Sequence, residues 1–300
     1  MHFPMNHTSL HDPSRDTYAP RRPDWLARLP YETPEDAGFS SGAALALLDM
    51  AQKNPSLPTA LWRARFALTA GAHCAQLSGR REGESALRDI LCLLRPGEQA
   101  GPAGEIAFAW NGAAAHALSE ANLIRVVSEI SALEISVWDK PSQNAPVAQA
   151  AGLLEAVLTD APRAHSAALI LADAALARAM GWRNLIPILG CALPRHDLTA
   201  RGDDLRLACH RAIVKSVAPA LSLATELSRR AAHLQQVAPK LRSKQAAQAV
   251  DMFLTRDAIA PAALTALMSD RAARRFCDRL VSLGAVRELT GRDTFRLYGL

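Results

Sequence analysis

This sequence predicts an all-α fold: a multi-helix bundle with a small C-terminal winged-helix-like module made of helices plus one β-hairpin. Three observations carry that expectation. The composition is 49% hydrophobic but only 5% aromatic, so the core must be built from the Ala and Leu that favour helices. From Phe39 onward apolar residues recur every three or four positions, the period of one helix face. No strand-like alternation occurs before residue 285.

The elements follow in order. Residues 1–35 are polar, rich in Pro and His and without periodicity, and read as a disordered lead-in. "SSGAALALLDMAQKN" reads as a helix ended by Asn54 and Pro55. "LPTALWRARFALTAGAHCAQLSG" is the next, with Leu61, Ala64, Leu68 and Ala72 on one face and Gly79 as its stop. "GESALRDILCLL" is followed by a helix opened at Pro102, where a proline in the first turn costs little. "EANLIRVVSEISAL", the break "DKPSQNAP", and the pair "PVAQAAGLLEAVLTDAP" and "SAALILADAALARAMGW" complete the middle of the chain. A long helix from Asp203 to Val237 should kink near Pro219. Residues 36–238 are thus the helical body and 239–300 the terminal module. The helix pairs share no fixed period, which argues against a repeat array.

The closing segment carries the main functional expectation. Ser269 suits a helix N-cap, and Ala273, Phe276, Cys277 and Leu280 share the buried stripe of the helix it opens. Arg271 and Arg275 lie opposite that stripe, with Arg274 beside them, and Gly284 suits the left-handed end. "AVRELT" and "TFRLY" then flank "GRD" as a hairpin. Helix, short helix, turn, arginine-bearing helix and hairpin is the order of a winged helix-turn-helix, although the turn after "PAALTALM" is very short for that motif. Arg271, Arg274, Arg275 and Arg292 are therefore the candidate nucleic-acid contacts, and duplex DNA the candidate partner. Charge supports this. Residues 201–300 hold 17 Lys and Arg against 9 Asp and Glu, while the rest of the chain is mildly acidic. The same helix also permits a plain solvated face, since Asp270 and Arg274 stand at i, i+4.

Other constellations are weaker. Glu82, Glu84, Arg88 and Asp89 crowd one helix start and form a candidate pocket for acid–base work or an anion. Their plain reading is helix-dipole complementation plus an i, i+4 pair between Glu84 and Arg88. The five cysteines are scattered without a C-x-x-C pair, and the histidines lack H-E-x-x-H, so no metal site and no cofactor is expected. No catalytic residue is assigned. No apolar run reaches membrane-spanning length and no apolar signal core opens the chain, so the expected location is cytoplasmic, with no membrane partner.

Several strings resemble a known family. "FSSGAALALLD", "GRREGESALRD", "LRPGEQAGPAG", "LADAALARAMGW" and "LTGRDTFRLYGL" occur in order between Phe39 and Leu300. They are similar to a bacterial family of uncharacterised proteins, the domain of unknown function numbered 1403, typical of rhizobia and their relatives. The resemblance leaves out the first 38 residues. It implies a family label and no activity. The leading expectation is a DNA-binding regulator whose helical body supplies homodimerisation or senses a partner. Two other readings stay open: a helical enzyme or small-ligand protein using the cluster from Arg80 to Asp89, and a protein-interaction scaffold.

Overall fold

The computed structural model describes residues 20–28, 31–127, 144–241 and 245–300. It opens with α1 (Asp24–Arg28) and α2 (Pro34–Gln52). Thr33 caps α2 by accepting from the Asp36 amide at 3.2 Å, and Pro34 fills a first-turn position where no N–H is needed. Leu26 of α1 is buried, and Arg211 donates to the carbonyls of Tyr31 and Glu32 at 3.1 and 3.0 Å. Part of the expected disordered lead-in is therefore a short helix docked on the body. Residues 1–19 and 29–30 of it lie outside the described residues.

Next come α3 (Thr59–Leu77), α4 (Glu84–Leu93) and α5 (Gly101–Ala115), close to the expected spans. A small apolar cluster joins the three through Leu68, Leu87 and Ala107. Ser119 caps α6 (Glu120–Val126). The rest of "EANLIRVVSEISAL", and the expected break as far as residue 143, lie outside the described residues.

The pair α7 (Pro146–Asp160) and α8 (His165–Ala179) pack on each other. Every position of α8 from Ala167 to Ala177 is buried, as expected of a helix that is apolar all round. Its one charged residue there, Asp173, accepts from the amides of Leu189 and Gly190 at 2.9 and 3.0 Å, at the start of the single turn α9 (Leu189–Ala192). Gly190 is required for packing: a Cβ there would stand 2.2 Å from Cη2 of the fully buried Trp110.

A 36-residue helix, α10 (Gly202–Val237), runs unbroken through Pro219. It seats α2 and α7 along its length, and Trp62 Nε1 donates to the Ala220 carbonyl at 3.1 Å. The chain then forms α11 (Ala246–Thr255), a 3-10 turn at Pro261–Leu264, and α12 (Asp270–Ser282). It ends with the antiparallel strands β1 (Arg287–Glu288) and β2 (Tyr298–Gly299). The hairpin is shorter than its sequence suggests. Ile259 exchanges both backbone hydrogen bonds with Tyr298, at 2.8 and 2.9 Å, so β2 is paired with β1 and with Ile259. Leu61, Phe253, Leu264, Phe276 and Leu280 belong to one buried cluster, so a continuous core runs from the body into the terminal unit. Among the described residues no helix is long and apolar enough to cross a membrane.

Candidate nucleic-acid interface

The arginine-bearing helix α12 is fixed by its own sequence. Ser269 Oγ accepts from the Ala272 amide at 3.4 Å. Ala273, Phe276, Cys277 and Leu280 are buried, the i, i+3, i+4, i+7 stripe expected of an amphipathic helix. At the far end Gly284 adopts φ 67°, with Ala285 N bonded to Leu280 O at 3.0 Å and Gly284 N to Val281 O at 2.9 Å. That pair of bonds is the Schellman motif, and glycine meets its left-handed requirement without strain.

Burying that stripe turns the cations outward. Arg271, Arg274, Arg275 and Arg279 are all exposed. Arg274 pairs with Asp270 at 3.2 Å, the i, i+4 arrangement the sequence suggests. Among the described residues Arg271, Arg275 and Arg279 have no acidic partner. They stand at i, i+4 and i+8 on one ridge. Arg279 was not among the candidates; its spacing of four from Arg275 is the signal that marks it.

Arg292 sits elsewhere. Its two Nη groups fork onto Asp89 of α4 at 2.7 and 2.8 Å, and it also donates to the Phe295 carbonyl. One candidate nucleic-acid contact and one candidate pocket residue are thus partners in a single ion pair. The remaining pocket candidates diverge. Glu82 accepts from the Arg81 amide at 2.9 Å, and Glu84 accepts from Thr69 Oγ1 at 2.7 Å. Arg88 donates through Nε to Asp257 Oδ2 at 2.6 Å, so the expected Glu84–Arg88 tie gives way to tertiary partners. Arg65 of α3 pairs with the other oxygen of Asp257. Together with Cys92 and Leu93 packed on Ala258, Ala260 and Leu297, these pairs seat the terminal unit on α3 and α4. At the hairpin tip Phe295 is 64% exposed and holds φ 53°, a left-handed conformation uncommon outside glycine.

Other reactive groups are quiet. Burial pushes the thiols of Cys74, Cys209 and Cys277 up to about 12 and that of Cys92 up to about 11, so they are neutral thiols at physiological pH. His210 Nδ1 meets Ser41 Oγ at 2.6 Å, but that hydroxyl is 1% exposed and also reaches the Gly38 carbonyl at 3.1 Å. The contact ties α10 to α2. Burial, with Arg206 nearby, lowers the His210 pKa. Among the described residues no three His, Cys, Asp or Glu side chains are grouped to hold a metal ion.

No curated protein and no solved structure matches this chain. A family model does match, and it begins at residue 11, inside the segment that the resemblance of short strings leaves out. Its match covers residues 11–300, nearly the whole chain, and the protein therefore belongs to the family described as "Protein of unknown function (DUF1403)".

Proposed function

We propose that this protein is a DNA-binding regulator that contacts duplex DNA through its C-terminal unit, acting as a winged-helix-like module. The observation that carries this reading is the ridge of Arg271, Arg275 and Arg279, which has no acidic partner among the described residues. The ridge spans about 12 Å of helix at 1.5 Å per residue, comparable to the width of the major groove. The element order adds support. A helix, a strand-like residue at Ile259, a short turn of helix, the arginine helix and a hairpin follow one another, with β2 between β1 and Ile259. Phe295, exposed at the hairpin tip, is the kind of apolar wedge that enters a minor groove. Arg292 is committed to Asp89 and is left out of the proposed contacts.

Fluorescence anisotropy over a salt series with random duplex DNA tests the reading. Arg271, Arg274, Arg275 and Arg279, all exposed and each neutralising one phosphate, give a log–log slope of about −3 to −4. Replacing Arg271, Arg275 and Arg279 with Ala should flatten it by about 2 to 3 while circular dichroism stays unchanged, because none of them faces the core. Absence of binding at low salt would reject the reading.

The regulator would act as a homodimer through the outer face of α2. Phe39 is 62% and Met50 59% exposed, with Gly42, Ala43 and Ala46 between them. Trp25 extends the patch, its ring centred 6.0 Å from that of Phe39. Antiparallel pairing with a second copy, about an axis between Ala44 and Leu45, sets Phe39 against Met50 and Ala43 against Ala46. The same register sets Asp36 opposite Lys53. Such self-complementarity in shape and charge is what a two-fold interface requires.

A further inference from the structure

We infer that the cleft between the body and the terminal unit binds a small organic anion, a carboxylate carried on an apolar body. The cleft has a volume of about 460 Å³, within the range of small-molecule sites. Its walls come from α3, α4 and α5 on one side and from residues 255–263 on the other. Ala60, Ala64, Leu91 and Ile259 supply apolar surface.

Three polar side chains converge on this apolar space. Arg88 is 15% exposed and gives its Nε–H to Asp257. Among the described residues no acceptor meets either of its Nη groups. Those groups are donors in a planar fork that matches a carboxylate. Arg256 lines the same cleft and is exposed without an ion-pair partner among the described residues. The Asn111 side chain lines the cleft as well, and its amide makes no hydrogen bond among the described residues. Two guanidiniums, Arg88 and Arg256, and one carboxylate, Asp257, line the cleft, so the charge of its lining is positive. Cys92, a neutral thiol, adds no negative charge. Unmet donors, excess positive charge and an apolar floor together select an anion with a hydrocarbon body. Because Arg88 belongs to the body and Arg256 to the terminal unit, the ligand would bridge the two. The site stands on this geometry alone and does not depend on DNA binding.

The test uses the full chain with benzoate and octanoate as probes, benzamide and octanamide as neutral counterparts, and inorganic phosphate. Isothermal titration calorimetry and thermal midpoints are read at fixed ionic strength. Saturable binding of a carboxylate, with a raised midpoint and no response to its amide, is the expected result. Arg256→Ala and Asn111→Leu should each weaken that binding, Arg256→Ala by about tenfold or more, the loss of one charge-assisted hydrogen bond. Both variants should keep the ligand-free midpoint. Arg88→Lys retains a charge but loses the fork, and should weaken binding as strongly. The assignment is overturned if no carboxylate binds, if the amides bind equally, or if phosphate alone binds as well as the carboxylates. It is also overturned if Arg256→Ala binds them like the parent protein.

Discussion

Replacing Asp257 with Ala should unsettle the whole protein, though the residue lies in the terminal unit. Its side chain is 13% exposed and is held between Arg65 and Arg88, each 15% exposed. Removing one partner of a buried ion pair typically costs about 3–5 kcal/mol, because a desolvated charge is left unmatched. Here two guanidiniums lose their carboxylate, but Arg88 borders an open cleft and both side chains keep some contact with water. The expected loss is therefore about 2–4 kcal/mol. Asp270, paired with Arg274 on α12 but 59% exposed, provides the internal control. Its replacement by Ala should cost at most about 1 kcal/mol. Urea denaturation followed by tryptophan fluorescence is the assay. Trp62, Trp110 and Trp182 are all buried in the body, so their signal reports whether damage at Asp257 reaches it. A continuous core predicts one shared transition moved to lower urea. Equal small losses at Asp257 and Asp270 would refute the burial argument. An unmoved fluorescence midpoint, with a separate early transition by circular dichroism, would refute the coupling.

Two further predictions follow from buried or unpartnered groups. Burial pushes the Asp173 carboxyl up to about 7 against the pull of the Gly190, Leu189 and Ile188 amides. Between about pH 4 and 7 the native state then holds a proton that the unfolded chain has released, so stability should fall as pH rises through this window, by roughly 4 kcal/mol at most. Asp173→Asn should flatten that slope in urea midpoints taken across the window, and a parallel slope in the variant would assign the dependence to other groups. If the proposed α2 dimer forms, Phe39→Arg should convert it to a monomer in light scattering coupled to gel filtration, by setting a charge against Met50 of the second copy. A parent protein that is already monomeric at micromolar concentration would remove the α2 interface.

Much of the fold is local and was legible for that reason. A buried stripe, a capping residue and a stop lie within a few residues of one another. So α3, α4, α5, α7, α8 and α12 fall close to their expected spans, and Ser269 and Gly284 bound α12 as their chemistry requires. The outward face of Arg271, Arg274 and Arg275 follows from the same periodicity, because burying Phe276 and Leu280 leaves them no other side. What the sequence by itself could not decide is which charge meets which. Asp89 and Arg292 are 203 residues apart, and Arg88 and Asp257 are 169 apart. Carboxylates and guanidiniums attract without sequence specificity, so only the folded chain selects between a near partner such as Glu84 and a distant one such as Asp257. The docking of Leu26, the pairing of Ile259 with Tyr298 and the cleft around Arg88 belong to the same class. Each depends on surfaces that exist once the helices have packed, and no periodic pattern along the chain encodes them.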